Sequence, residues 1–187
     1  MIRTAAHYSY WGILIITLLG VLQSLYANYQ IAQSNSVITQ LNQGKDIERA
    51  LDKTDSPELH LAYGSYLKSK HRYNEAQASL SQIIDRGDKK TRAISRYNLG
   101  NTYLAQAIEL AEAMQINEAT SLASLAKQAY RQALALDSQY WDAKYNLEVA
   151  MRLLPEMDRI VMQEDEPAPQ EKVKLWATVP GFPRGLP

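Results

Sequence analysis

Apolar and polar positions divide this chain into three regimes. From Trp11 to Ala27 the residues read WGILIITLLGVLQSLYA, with polar groups only at Thr17, Gln23 and Ser24. From Pro57 to Met151 apolar residues follow the spacing of helices half-buried against neighbours. From Pro167 onward five of the seven prolines break any period, so no regular helix or sheet is expected there. The pattern predicts an all-α chain: an N-terminal transmembrane helix, a short array of helical hairpins and an irregular Pro-rich C-terminal tail.

The first regime reads as a membrane span. No Asp, Glu, Lys or Arg occurs between Arg3 and Lys45. As helix, Trp11 to Ala27 covers about 25 Å and Tyr8 to Tyr29 about 33 Å, against roughly 30 Å of hydrocarbon. Tyr8, Tyr10 and Trp11 lie at one end, and Tyr26 and Tyr29 at the other, where aromatic rings favour the headgroup region. A cleaved signal needs small residues before its cut site, and Leu25 stands two residues before Ala27. An uncleaved anchor over 8–29 is therefore expected, ahead of a cleaved signal or a buried core helix. Arg3 and the free amine precede the span, and no basic residue follows until Lys45. This favours a cytoplasmic N-terminus over 1–7 and a periplasmic remainder, in a single-pass protein of a bacterial inner membrane.

The second regime repeats itself. Arg96-Tyr97-Asn98-Leu99 recurs as Lys144-Tyr145-Asn146-Leu147, each time opening a helical stretch. With Pro57 at the first position, Gly64 falls where a first helix packs closely, Tyr73 in the turn, and Ala76, Leu80 and Ile83 on the buried side of a second helix. Gly in mid-helix costs roughly 1 kcal/mol against Ala, so it implies backbones that approach closely. Gly87 suits a left-handed cap after that second helix. These positions resemble the tetratricopeptide repeat, a helix-turn-helix unit of about 34 residues. The second unit carries Tyr97, Asn98, Leu99, Gly100, Asn101 and Tyr103, then Ala126, Tyr130, Ala133 and Leu134. Its halves are too far apart, for Gly100 to Ala126 is 26 residues where Gly64 to Ala76 is 12. The extra 14 are expected to add two turns to each helix, with the tip near Gln115-Ile116-Asn117. A third first-helix runs from Trp141 to about Leu154, where Pro155 is expected to stop it. The expected division is thus a repeat domain over 57–156, a connecting helical segment over 30–56, with Ile47 to Leu51 packing on the first hairpin, and a tail over 157–187.

Candidate chemistry narrows the picture. Formal charge is zero, with 20 basic and 20 acidic residues, which offers no footprint for nucleic acid. The absence of cysteine excludes disulfides, thiolate metal sites and a cysteine nucleophile. His60 and His71 stand 11 residues apart, outside ligand spacing, and read as solvated or turn residues. Glu109, Glu112 and Glu118 read as exposed helix charges, and Glu164-Asp165-Glu166 as a solvated acidic spacer. No P-loop, Rossmann glycine pattern or nucleophile elbow is present. No enzyme, cofactor or metal is expected. What remains is surface: Asn98, Asn101 and Asn146, with Lys68 and the tyrosines Tyr97 and Tyr145, on the inner faces of the first helices. Asn donates and accepts, which suits reading an extended peptide. In the tail, Trp176, Phe182 and Arg184 form a candidate docking segment, for a partner or for the protein's own surface, with a disordered terminus as the equal alternative.

Taken with the N-terminal anchor, YNLGNTYLAQ, YRQALALDSQYWDAKYNLE and the terminal LWATVPGFPRGLP resemble the MxaK family, encoded with the calcium-dependent methanol dehydrogenase of methylotrophic bacteria. The repeat phrases are also similar to Bat-type repeat proteins that accompany MoxR-family ATPases and von Willebrand A-domain membrane proteins. The resemblance implies a non-enzymatic assembly factor that helps mature methanol dehydrogenase, or insert its calcium, in the periplasm. It implies A-domain proteins, a MoxR-type ATPase and methanol dehydrogenase as partners. A repeat adaptor for cytochrome c maturation or envelope complex assembly is the alternative left open.

Overall fold

The computed structural model describes residues 2–47, 49 and 51–164. These residues form two compact units, Met1–Ile47 and Glu48–Pro187, with no β-strand among them. The first unit is one helix, α1, spanning Ile2–Asn42. From Tyr10 onward it is long and apolar enough to cross a membrane, and none of its most apolar window is buried in protein. Two of the polar side chains inside that stretch bond within the helix. The Thr17 hydroxyl donates to the carbonyls of Ile13 and Leu14 at 3.0 and 2.9 Å, and Asn28 Nδ2 donates to the Ser24 carbonyl at 2.9 Å. Such internal pairing is what a hydrocarbon environment demands of a polar side chain.

Helix α1 runs past the expected end of the span at Tyr29. Gln30 to Asn42 contains neither Gly nor Pro, so nothing stops the helix until Gly44, whose φ of +79° closes it. The connecting segment differs from expectation beyond that point. The described positions 43–47, 49 and 51–56 are not helical, so the expected helical character of the connecting segment ends with α1. Leu51 is nevertheless buried. The loop before the first hairpin is fixed by Asp55, whose carboxylate accepts from the Asp52 amide at 2.9 Å and from the Arg49 guanidinium. Arg86 Nη2, just past the end of α3, donates to the Asp55 carbonyl at 3.0 Å.

The second unit stacks helices as hairpins. Helix α2, Pro57–Ser69, packs on α3, Tyr73–Ser81; α4, Lys89–Glu112, packs on α5, Ile116–Leu136; and α6, Trp141–Glu164, packs on α5. Ser56 caps α2 by accepting from the Leu59 amide, with Pro57 at its first turn, and Asp88 caps α4 by accepting from Thr91 at 2.7 Å. Both hairpin turns share one geometry. His71 and Met114 adopt left-handed φ values of +60° and +62°. Around them, Arg72 N bonds Leu67 O and His71 N bonds Lys68 O, just as Gln115 N bonds Leu110 O and Met114 N bonds Ala111 O. This double bond pattern is a Schellman closure.

The equivalence of His71 and Met114 measures the enlargement of the second hairpin. Gly64 precedes His71 by seven residues, whereas Gly100 precedes Met114 by fourteen; His71 precedes Ala76 by five, and Met114 precedes Ala126 by twelve. Each helix has gained seven residues, or about two turns. The tip lies at 113–115, one to two residues before the expected centre. The glycines serve the close approach expected of them: a Cβ on Gly64 would lie 2.7 Å from Leu80, and one on Gly100 2.6 Å from the Tyr130 ring. The core is built from small residues at the enlarged hairpin: Ala107, Ala111, Ala119, Ala123 and Ala126, with Leu104, Ile116, Tyr130, Ala150 and Leu153. Ala-lined faces let the helices approach, and the area this buries is the main favourable term in holding them.

Pro155 does not stop α6, which continues to Glu164. A proline removes one helical N–H, leaving the carbonyl four residues earlier without its partner. That carbonyl belongs to Met151, and both Met151 and Pro155 are exposed, so the position is open to water. The residues that follow, Glu156, Met157, Arg159, Met162 and Gln163, favour helix. The helical part of the chain thus extends beyond the expected boundary at 156.

Candidate functional site

The repeated Tyr-Asn phrases meet at one place. Asn101 on α4 and Asn146 on α6 are each 4% exposed, and Tyr130 on α5 is fully buried between them. The Tyr130 hydroxyl donates to Asn101 Oδ1 at 2.8 Å, and Asn146 Nδ2 donates to the same oxygen at 2.9 Å. Asn146 Nδ2 also lies 3.2 Å from the Tyr97 hydroxyl, to which it donates. The Tyr97 ring stands 6.0 Å from Tyr130 and 4.8 Å from Tyr140, centroid to centroid. Burial, and then the neighbouring Tyr97 phenol, push the hydroxyls of Tyr130 and Tyr140 above their ordinary pKa. The result is a neutral polar seam that joins α4, α5 and α6 in one register.

The sequence singled out Asn98, Asn101 and Asn146 as exposed contacts, and the structure separates them. Asn101 and Asn146 face inward and are bonded to each other and to tyrosines, so they hold the array together. Asn98 is half-buried on α4 and its carbonyl accepts from Thr102 Oγ1 at 2.9 Å. Tyr97 is part of the seam, while Tyr145 is 44% exposed. Lys68 on α2 is half-buried, and its desolvation holds the ammonium below the usual lysine pKa. Trp176, Phe182 and Arg184 lie outside the described residues, as does the acidic spacer after Glu164.

Two further polar clusters escaped the sequence reading. His60 is fully buried on α2, not solvated: Nε2 lies 2.9 Å from the Asp52 carbonyl and Nδ1 3.1 Å from Ser79 Oγ. A carbonyl only accepts, so Nε2 donates to Asp52, while the Ser79 hydroxyl stands between Nδ1 and the His60 carbonyl, to which it donates at 3.4 Å. Glu109 is not a bare helix charge. Its carboxylate accepts the Tyr73 hydroxyl at 2.6 Å and pairs with His71, tying the first hairpin's turn to α4. Burial, then that bond, raises the Tyr73 pKa. Gln77 Nε2 donates to Gln106 Oε1 at 2.7 Å across the same boundary. His60 pairs over 19 residues and Glu109 over 36, separations that no local period reveals.

No group of three or more His, Asp or Glu is placed to hold a metal among the described residues. The arrangement binds helices to one another. No family model, no curated protein and no solved structure matches this chain.

Proposed function

We propose that this protein is a membrane-anchored scaffold whose hairpin array holds another protein. The observation that carries this reading is the Asn101–Tyr130–Asn146 seam. It locks α4, α5 and α6 into a fixed surface with its own polar groups paired, and a preorganised surface binds without the cost of ordering. Helix α1 supports attachment to a membrane, with the array on the periplasmic side of a bacterial inner membrane. On the resemblance of its anchor, repeats and tail to the MxaK family, the partner is an A-domain membrane protein or a MoxR-type ATPase. The process is then the maturation of methanol dehydrogenase, with calcium carried by that enzyme. The contact residues are Asn98 and its neighbours on the accessible edge of α4, while Asn101 and Asn146 act by holding that edge in place.

The test is affinity purification of the full chain from solubilised membranes, with bound proteins identified by mass spectrometry. Recovery of A-domain or ATPase partners, lost in Asn98→Asp without loss of helicity, is the expected result. Absence of such partners from wild-type preparations would sink the maturation reading.

A further inference from the structure

We infer that α1 pairs side by side with a second copy of itself through one small and polar face, running from Thr17 to Ile31. The pairing rests on the membrane attachment proposed above and on no other part of that function. From 17 to 29 the small and polar residues are Thr17, Gly20, Gln23, Ser24, Ala27 and Asn28, and every other residue is Leu, Val or Tyr. At about 100° per residue those six fall within an arc of about 140°, and the bulky residues fill the remainder. Helix α1 is unbroken through this stretch, all of which is exposed. The bulky side suits lipid tails. The other side does not, because hydrocarbon offers no partner to a polar group. Thr17 and Asn28 are paired inside the helix, but among the described residues Gln23 has no hydrogen bond.

Glycine marks the same face. Gly64 and Gly100 each make room for a neighbouring side chain, and without such a neighbour a mid-helix glycine only weakens its helix. A Cβ on Gly20 would meet nothing within 4 Å, so the neighbour it makes room for lies outside the chain. Gly12, two turns earlier on the same side, is equally open. The described residues contain one candidate span, so no second helix among them can take the place. A second copy fits it. Thr17, Gly20, Ser24, Ala27 and Ile31 are spaced three, four, three and four residues apart, the seam of two helices wound together. In lipid, small residues on a seam let backbones approach, which is where helix pairs gain their contact. Ile31, 58% exposed, continues the seam beyond Tyr26 and Tyr29, where water makes apolar burial favourable. Copies of one chain insert in one direction, so the pair is parallel. Residues flanking the seam of a parallel pair face those five positions further along the other helix. Gln23 therefore meets the second copy's Asn28, whose Nδ2 already holds the Ser24 carbonyl at 2.9 Å and whose Oδ1 is left to accept. Two-fold symmetry makes that bond twice, and no charged residue between Arg3 and Lys45 opposes the contact.

The test uses the full chain in membranes, where the absence of native cysteine makes single-cysteine variants clean. Cysteine replaces Ser24 or Ala27 on the face, and Leu22 or Leu25 on the bulky side, in copies carrying two different tags. Carbonate washing comes first: release of the wild-type chain would remove the membrane attachment itself, and the pairing with it. With the chain retained, an oxidant should join the two tags through Ser24→Cys and Ala27→Cys, and not through Leu22→Cys or Leu25→Cys. Gly20→Ile combined with Ala27→Cys should lower the yield about tenfold, the effect of losing a close helix contact. Equal joining at all four positions, no joining at any, or a yield that ignores Gly20→Ile would each overturn the proposal. Photoreactive p-benzoylphenylalanine at Val21, on the rim of the face, identifies any other occupant. An adduct to a different protein would assign the face to that protein and overturn the proposal too.

Discussion

At the residue scale, the two hairpin turns separate strain from function. A left-handed φ costs a non-glycine residue roughly 1 kcal/mol. Met114 bears that strain with half its side chain in water, so Met114→Gly should raise the urea midpoint by an amount equivalent to about 1 kcal/mol. His71→Gly should gain less or lose, because it also removes the pairing with Glu109; equal gains would mean that pairing is worthless. The seam makes a second ordering. Tyr130→Phe removes one hydrogen bond but leaves Asn101 Oδ1 served by Asn146, a loss of about 1 kcal/mol. Asn101→Ala strands the Tyr130 hydroxyl and leaves the Asn146 amide only its longer bond to Tyr97, so its loss should be larger in denaturant titration, about twofold. That Asn101 and Asn146 turn inward was not legible in the sequence. Asparagine is as fit for a peptide as for a partner 45 residues away, and only the fold brings them together.

At the element scale, repeats and glycines were readable and terminations were not. The enlargement of the second hairpin followed from counting between Gly100 and Ala126, because close-packing positions recur at fixed spacing and any insertion shows as arithmetic. Gly64 and Gly100 announced close approach because nothing else justifies glycine in mid-helix. Pro155 misled for the opposite reason: the penalty of an interior proline depends on whether water reaches the orphaned carbonyl, which is a property of exposure. Pro155→Ala should therefore extend protection rather than rearrange the fold. The restored N–H to the Met151 carbonyl should slow amide exchange over 156–164 and stabilise the chain by about 1–3 kcal/mol. Unchanged exchange there would mean that the proline imposes no break. Glycine at 100 predicts the converse: a Cβ driven against a buried, hydrogen-bonded Tyr130 ring has nowhere to go, so Gly100→Ala should lose about 1–3 kcal/mol in the same titration.

At the scale of the whole molecule, three tyrosines report on the array as a unit. Tyr73 links the first hairpin to α4, Tyr130 sits in the seam, and Tyr140 lies at the turn into α6. Each has its pKa raised by burial first, above the value near 10 of an unfolded tyrosine. Below that pH both states keep the proton, and these groups leave stability unchanged. Above it the unfolded chain releases protons that the folded chain retains, so stability falls as pH rises. These three ionise only as helices separate. Tyrosinate absorbance near 295 nm should thus have a second, late phase that coincides with loss of far-ultraviolet helicity. Because Tyr73 and Tyr130 lie in adjacent hairpins joined through α4, the second phase should be a single cooperative step, and Asn101→Ala should move it to lower pH. A single phase near pH 10 with helicity intact would show that the tyrosines are open to water, and with it that the seam does not hold the array.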